Sequence, residues 1–151
     1  MNILLVEDDE NKRAVITSFL RDEVPDMKLR ARFSLQSGVK AVLDSAPHLV
    51  LLDMTLPNFD VGADESGGQH HIFGGREFIR QIERFEINTK VIVVTQFETF
   101  GKPPNIINIE QLNNMLKDDS PDRHMGVVYY HASIEKWKKT LSDLIGSIRA
   151  S

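Results

Sequence analysis

Two groups of acidic residues, each behind a short apolar run, are the candidates for chemistry in this sequence. In MNILLVEDDE the apolar residues 3–6 are followed by four acids, Glu7, Asp8, Asp9 and Glu10. In HLVLLDMTLP a single acid, Asp53, follows a second apolar run. Adjacent carboxylates repel one another, so such a cluster persists either on a fully hydrated surface or around a positive charge.

The chemistry predicted for these acids is the binding of a hard cation. If the two apolar runs are neighbouring strands, Glu7, Asp8 and Asp53 converge at one edge of a sheet. Carboxylate oxygens that stay open to water suit Mg²⁺, which holds an octahedral shell at about 2.0–2.1 Å with several waters. Thr95, which ends the run VIVVT, adds a hydroxyl group to the same edge. The alternative is structural, with Asp9 as a helix cap and the other acids as hydrated strand ends.

The elements that must position these acids follow from the hydrophobic pattern. Apolar runs without polar alternation, at residues 3–6, 48–52, 91–94 and 127–130, are typical of strands buried on both faces. A weaker run at residues 27–33 alternates apolar and basic residues, as an edge strand does. Helical patterns lie between them, so strand and helix alternate five times. We therefore predict an α/β fold: a doubly wound, five-stranded parallel sheet, flavodoxin-like with order 2-1-3-4-5 and helices on both faces.

Two stretches are longer than connections in such folds, which usually have about 2–6 residues. Residues 58–75 hold five of the nine glycines and the pair His70 and His71, and residues 96–125 contain Pro103, Pro104 and a short helical pattern. We predict one domain over residues 1–151 with insertions at about 58–75 and 96–125. The histidine pair has no third ligand at metal-site spacing, which favours a solvated loop over a metal site.

Composition excludes several functional classes. The chain has 151 residues, 41% of them hydrophobic, which is enough for one core. A net charge of −4 without a basic stripe argues against nucleic acid as a partner, and the lack of cysteine excludes disulfides and thiolate metal sites. The apolar runs are far shorter than the roughly 20 residues of a membrane span. We expect a cytoplasmic protein with no membrane partner.

The motifs LLVEDD, LLDMTLP and VIVVT together resemble the receiver domains of two-component response regulators. In receivers the acidic pair after the first strand, here Glu7 and Asp8, holds Mg²⁺, and the second acid is the direct ligand. The resemblance implies that Asp53 accepts a phosphoryl group from a histidine on a kinase or a histidine phosphotransfer protein. It also implies that Thr55 gives a backbone carbonyl to the metal and that the Thr95 hydroxyl binds the phosphoryl oxygens.

The sequence departs from the receiver pattern on the signalling side of the site. Receivers carry a lysine at the end of the fifth strand, where this chain has Tyr130 or His131, depending on a one-residue gap. A protonated His131 is one candidate replacement, and Lys102 in the loop after the fourth strand is another. Receivers usually place a small residue after the hydroxyl residue, whereas this chain has Gln96, a long amide that would obstruct the pocket or position a hydrolytic water.

The leading hypothesis is a stand-alone receiver, not an enzyme, that takes a phosphoryl group on Asp53 and signals through contacts with another protein. The missing lysine and Gln96 motivate an alternative, a degenerate receiver that binds its partner independently of phosphorylation. A third class, the haloacid dehalogenase type of Mg²⁺-dependent phosphohydrolase, needs a second aspartate two residues after the nucleophile. Thr55 occupies that position, which leaves no general acid for the leaving group.

Overall fold

A computed structural model of the chain describes residues 1–60, 70–71 and 73–150. The elements follow in the order β1 (Asn2–Val6), α1 (Glu10–Glu23), β2 (Lys28–Arg32), α2 (Leu35–Asp44), β3 (Leu49–Leu52), β4 (Leu56–Pro57), β5 (His70–His71), α3 (Gly74–Arg84), β6 (Lys90–Thr95), β7 (Thr99–Phe100), β8 (Ile107–Asn108), α4 (Ile109–Asp119), β9 (His124–Tyr129) and α5 (Lys136–Ala150).

The main sheet has five parallel strands in the order β2-β1-β3-β6-β9. In chain order of these five strands this is the predicted order 2-1-3-4-5, so the doubly wound fold is confirmed. Residues of β1 alternate between the two faces: Leu4 and Val6 belong to one apolar cluster, and Ile3 and Leu5 belong to the other. The continuous apolar runs therefore arise because both faces of the central strands are buried.

Each face of the sheet is covered by its own set of helices. Helices α2, α3 and α4 pack on one face, where Phe78 and Leu112 are fully buried. Helices α1 and α5 pack on the other face through Ile16, Trp137 and Leu141. Three of the helices begin with side-chain caps: Asp9 caps α1, Ser34 caps α2, and Asn108 forms a capping box at α4.

The short elements were not predicted. Two-residue strands pair antiparallel as β4 with β5 and as β7 with β8. The stretch 96–125 holds the β7–β8 pair and α4, and β9 begins at His124, earlier than the predicted strand at residues 127–130. Of the stretch 58–75, residues 61–69 and 72 lie outside the described residues, so its placement as an insertion stays a prediction. Within the described part of the chain, no helix has the length and apolar character needed to cross a bilayer.

Candidate functional site

The predicted acids meet at the carboxyl ends of β1 and β3. These strands are neighbours with Val6 paired to Leu52, and the Asp53 backbone N–H donates to the Val6 carbonyl at 3.0 Å. One carboxylate oxygen from each of Glu7, Asp8 and Asp53 lies within 4.8 Å of the other two. Ligand oxygens around one Mg²⁺ are about 3–4 Å apart at its normal bond lengths, so small rotations of these side chains complete a common site.

A small cavity of about 130 Å³ opens above the acids. Its described lining is formed by Glu7, Asp8, Asp9, Asp53, Thr55, Gln96 and Phe97. The Thr55 backbone N–H donates a hydrogen bond to the Asp53 carboxylate. A cleft of about 430 Å³ adjoins this cavity and shares Asp9, Gln96 and Phe97 with it. Asp53 is 6% exposed, so little of its surface is open to solvent.

A buried ammonium group lies among the carboxylates. Lys12 Nζ is 2.5 Å from Glu7 Oε1 and 3.4 Å from Asp53 Oδ1, and it donates to the Val94 carbonyl at 2.8 Å. These contacts use all three donors of an ammonium. The Lys12 side chain is 2% exposed, and its position was not predicted from the sequence.

The start of α1 explains how Lys12 reaches the site. The Asp9 side chain caps the helix by accepting from the Lys12 backbone N–H at 2.9 Å, which puts Lys12 at the third helical position. Helical side chains point towards the N-terminus of their helix, and α1 begins at the end of β1. The Lys12 side chain is thereby directed back over the acidic cluster.

The cluster holds three carboxylates and one described cation, and burial disfavours the charged forms of two of these acids. Burial raises the pKa of Glu7 to about 7, although Lys12 opposes this shift. Burial also raises the pKa of Asp53, with Lys12 opposing and Asp8 adding to the shift. Three ionised carboxylates and one ammonium leave two negative charges, which one divalent cation would neutralise. The donor set and the charge both fit Mg²⁺.

Helix α3 closes the site from the side of β3. The Gly75 backbone N–H donates to the Met54 carbonyl at 2.9 Å, so the first turn of α3 lies directly on the segment that follows Asp53. A Cβ atom at Gly75 would lie 2.9 Å from the Asp53 carbonyl oxygen, closer than such atoms approach. The absence of a side chain at this position permits the contact.

Comparison with known proteins gives relatives over nearly the full chain. The uncharacterised protein y4jR of Sinorhizobium fredii is 36% identical over 146 residues, which is 95% of each chain. The Detocs response regulatory protein DtcB of Enterobacter cloacae is 29% identical over 150 residues, which is 98% of each chain. A scan against protein-family models found no match.

Solved structures agree on the architecture. The isolated REC domain of RcsB from Salmonella enterica serovar Typhimurium, determined with the phosphomimetic BeF₃⁻, has a TM-score of 0.63 and 18% identity over 97% of this chain and 88% of its own. A DNA-binding response regulator of the LuxR family from Staphylococcus aureus has a TM-score of 0.63 and 16% identity over 97% of both chains. The chain belongs to one family with y4jR and has the response regulator receiver fold.

In this receiver domain the structure places Thr95 at the predicted strand end. Thr95 is fully buried at the end of β6, and its hydroxyl oxygen accepts from the Phe97 backbone N–H at 3.2 Å. The described lining of the small cavity contains Gln96 and Phe97 but not Thr95. The expected contact of Thr95 with a phosphoryl group stays a prediction.

The two residues considered as replacements for the receiver lysine lie away from the Asp53 carboxylate. His131 is exposed, and its Nδ1 accepts from the Ser133 backbone N–H at 3.1 Å. It lines the adjoining cleft, whereas the described lining of the acidic cavity does not include it. Lys102 is exposed in the turn between β7 and β8. Among the described residues, the cation paired with Asp53 is Lys12.

Tyr130, one of the two residues predicted at the position of the receiver lysine, lies directly after β9. Its backbone N–H donates to the Thr95 carbonyl at 2.7 Å, directly after the pair formed by Thr95 and Tyr129. The ring is buried, and its centroid is 5.1 Å from that of Trp137 and 5.9 Å from Lys12 Nζ. Tyr130 is therefore a packed aromatic that borders the site.

The missed signal was a lysine in the first turn of a helix that follows a strand-end acid pair. A cation at a helix N-terminus interacts unfavourably with the helix dipole, so its presence there points to a compensating anion. In EDDENK that anion is supplied by the acids before the helix.

Proposed function

We propose that this receiver domain takes a phosphoryl group on Asp53, with Mg²⁺ bound by Glu7, Asp8, Asp53 and the backbone carbonyl of Thr55, and signals through contacts with another protein. The single observation that carries the proposal is the convergence of the three carboxylates at the ends of β1 and β3. An aspartate can accept a phosphoryl group as a nucleophile, and two further carboxylates beside it supply ligands for the metal ion that would neutralise the transferred charge.

The reaction is a transfer between a phosphohistidine and the acceptor carboxylate. An Asp53 carboxylate oxygen attacks phosphorus; as the O–P bond forms, the N–P bond of the donor breaks, and the imidazole nitrogen keeps the electron pair. A bound Mg²⁺ neutralises charge on the transferred group. The chain's own part is to hold Asp53 in place, through the Thr55 N–H bond on its carboxylate and the Val6 bond on its backbone. The Thr95 hydroxyl is the proposed donor to a phosphoryl oxygen.

The relatives support a signalling role for a protein of this size. DtcB is named a response regulatory protein, and 98% of its length aligns with this chain. We infer that the phosphoryl donor is a histidine kinase or a histidine phosphotransfer protein. The output partner is a downstream protein, and the place of action is the cytoplasm.

The decisive test is phosphorylation by a small donor. The purified protein is incubated with phosphoramidate, with and without Mg²⁺, and its intact mass is measured. One phosphoryl adduct is expected with Mg²⁺ only, and none in Asp53→Ala. The exposed acid Asp44 on α2 supplies the control Asp44→Ala, which should be labelled like the wild type. No Mg²⁺-dependent adduct on the wild type would refute the proposal.

A second candidate function is binding without phosphorylation. It is favoured by the buried Lys12, which already pairs with Asp53, and by the long side chains of Gln96 and Phe97 on the small cavity. On this view the partner binds Asp53→Ala and phosphorylated protein equally well. Titration of a partner against both forms separates the candidates, because the first requires different affinities.

A further inference from the structure

We propose that Lys12, supplied by the first turn of α1, is the cation that pairs with the phosphoryl group on Asp53. In other receivers this role belongs to a lysine at the end of the fifth strand, which this chain lacks. The inference rests on the proposed function of Asp53. It places the cation that pairs with the phosphoryl group on α1 instead of at the end of the fifth strand.

The position of the Lys12 ammonium is fixed by groups other than the acceptor. The Val94 carbonyl and the Glu7 carboxylate hold Nζ at 2.8 and 2.5 Å, while the contact with Asp53 Oδ1 is longer at 3.4 Å. The third donor can therefore transfer from Asp53 to an oxygen of the attached phosphoryl group without loss of the other two bonds. Charge-assisted hydrogen bonds to phosphate oxygens are among the strong ones.

The charge change on phosphorylation requires such a group. The carboxylate of Asp53 carries one negative charge, and an acyl phosphate carries about two at neutral pH. The added charge develops in a pocket whose acceptor is 6% exposed, where water screens it poorly. Within the described part of the chain, Lys12 is the one cation within 4 Å of Asp53.

Lys12 is an unfavourable residue for its local structure, which indicates a role in the site. Its side chain is 2% exposed, and lysine is almost never fully buried unless it is paired. It also lies in the first turn of α1, where the helix dipole disfavours a cation. Violations of local rules of this kind concentrate at functional sites.

The residue at the end of β9 complements this arrangement. Tyr130, one of the two residues predicted where receivers have the lysine, packs its ring on Trp137, and the ring centroid is 5.9 Å from Lys12 Nζ. A cation near an aromatic ring is attracted by the ring quadrupole. Lys12 on α1 and Tyr130, directly after β9, are thus in contact: the helix supplies the charge, and the aromatic ring borders it.

The test compares Lys12→Met with the wild type in two measurements. With phosphoramidate and saturating Mg²⁺, the rate of adduct formation should fall about 10- to 100-fold, as expected from the loss of one strong charge-assisted bond. The second measurement is the rise in Tm on adding BeF₃⁻ and Mg²⁺, which should be clear in the wild type and largely lost in Lys12→Met. Lys12→Gln, which keeps hydrogen-bond donors without the charge, is a second variant in case Lys12→Met does not fold.

The matched control is Arg13→Met, which removes the next cation on the same helix. Arg13 donates to the backbone carbonyl of Glu7 and packs on Phe33, so its loss should leave the adduct rate within about twofold of the wild type. In the double variant Lys12→Met with Tyr130→Lys, recovery of the rate and of the BeF₃⁻ response would support the assignment.

The two proposals fail in different ways. If the wild type forms no Mg²⁺-dependent adduct, the proposed function fails and this inference fails with it. If the wild type forms the adduct, and folded Lys12→Met and Lys12→Gln form it equally fast with the full BeF₃⁻ response, the proposed function stands and Lys12 is only a structural counter-ion.

Discussion

Lys12 Nζ lies 2.5 Å from Glu7 Oε1, and both side chains are 2% exposed. The pair joins the end of β1 to the first turn of α1, five residues later. Because it is buried, removal of one partner leaves an uncompensated charge, which in proteins costs about 3–5 kcal/mol. The contribution of the Lys12–Glu7 pair to stability should therefore depend on whether a second cation is bound in the acidic cluster.

This relationship predicts that Mg²⁺ stabilises Lys12→Met more than it stabilises the wild type. Without metal, the variant should lose about 3–5 kcal/mol of unfolding free energy, because its carboxylates lack a counter-charge. Saturating Mg²⁺ should restore part of this loss, because binding to the folded state raises its stability. Urea unfolding with and without Mg²⁺ measures both effects.

The control for this prediction is Lys138→Met. Lys138 pairs with Glu135 at 3.0 Å on the surface, and exposed pairs contribute little to stability. This variant should unfold like the wild type in either buffer. An equal gain from Mg²⁺ in the wild type and in Lys12→Met would contradict the electrostatic account of the cluster.

A second prediction concerns the metal ligands. Asp8→Asn removes one of the three carboxylates and should weaken Mg²⁺ binding at least about tenfold. The amide that replaces the carboxylate is uncharged and is a weaker ligand for Mg²⁺. Isothermal titration calorimetry measures the Kd. The exposed Asp44 on α2 provides the control Asp44→Asn, which should bind Mg²⁺ like the wild type. Unchanged affinity in Asp8→Asn would show that the ion binds elsewhere.

The fold was predictable because its signal is strong in the sequence. The runs that became β1, β3 and β6 are continuously apolar, since helices cover both faces of the central strands, and that pattern leaves few alternatives to a parallel sheet. The acidic cluster followed from the same logic, because neighbouring parallel strands end at one edge. The pairs β4–β5 and β7–β8 have two residues per strand, which is too short for any periodicity to show.

The counter-charge was not predictable by the same route. In ENKRA the lysine stands among polar residues at the start of a helix, which is typical of a hydrated first turn. In the structure Lys12 lies on the buried face of α1 with Ile16 and Leu20, at spacing i, i+4 and i+8. Whether Lys12 faces water or the site depends on where the helix begins relative to the strand end. The Asp9 cap fixes that point through a single hydrogen bond to the Lys12 backbone. The fifth-strand pattern therefore pointed to His131, whereas the cation paired with Asp53 lies in the first turn of α1, after an interior strand.

A third prediction uses Trp137, the single tryptophan of the chain, as a reporter. The centroid of its ring is 5.1 Å from that of Tyr130 and 5.3 Å from that of Phe19, and the Tyr130 ring in turn borders the Lys12 ammonium. A shift of the ammonium should alter the environment of the indole. Tryptophan emission should therefore change when BeF₃⁻ and Mg²⁺ are added to the wild type, and the change should be lost in Asp53→Ala. A full response in Asp53→Ala would place its origin outside the site.

A fourth prediction concerns His124 at the start of β9. The ring is 1% exposed, its Nε2 contacts Asn113 Oδ1 at 2.7 Å, and burial together with the nearby Lys117 lowers its pKa to about 4 from 6.5. Between these two values the unfolded chain binds more protons than the folded chain. The free energy of unfolding should therefore fall as the pH drops through this window, by at most about 3 kcal/mol from this group.

The measurement is urea unfolding at pH 7 and pH 5 in the wild type and in His124→Asn. Other carboxyl groups also titrate in this range, so the difference between the two proteins isolates the histidine. The wild type should lose more stability on acidification than His124→Asn does. Ile145→Val, a core change without a titratable group, controls for destabilisation as such and should retain the wild-type difference. Equal losses in wild type and His124→Asn would argue against a neutral buried ring.

The last prediction tests the contact between Gly75 of α3 and the backbone of Asp53 and Met54. In Gly75→Ala the new Cβ atom would lie 2.9 Å from the Asp53 carbonyl oxygen and 3.0 Å from the Met54 Cα, both of which are backbone atoms that cannot turn aside. Either α3 or the backbone of Asp53 and Met54 must shift, which should cost about 1–3 kcal/mol of unfolding free energy. Because the shift displaces Asp53, Mg²⁺ affinity should fall as well.

Gly146→Ala on α5 is the matched control: nothing lies within 4 Å of its Cβ, so it should stabilise by about 0.5–1 kcal/mol and leave Mg²⁺ binding unchanged. Wild-type stability and affinity in Gly75→Ala would mean that α3 does not hold Asp53 in place.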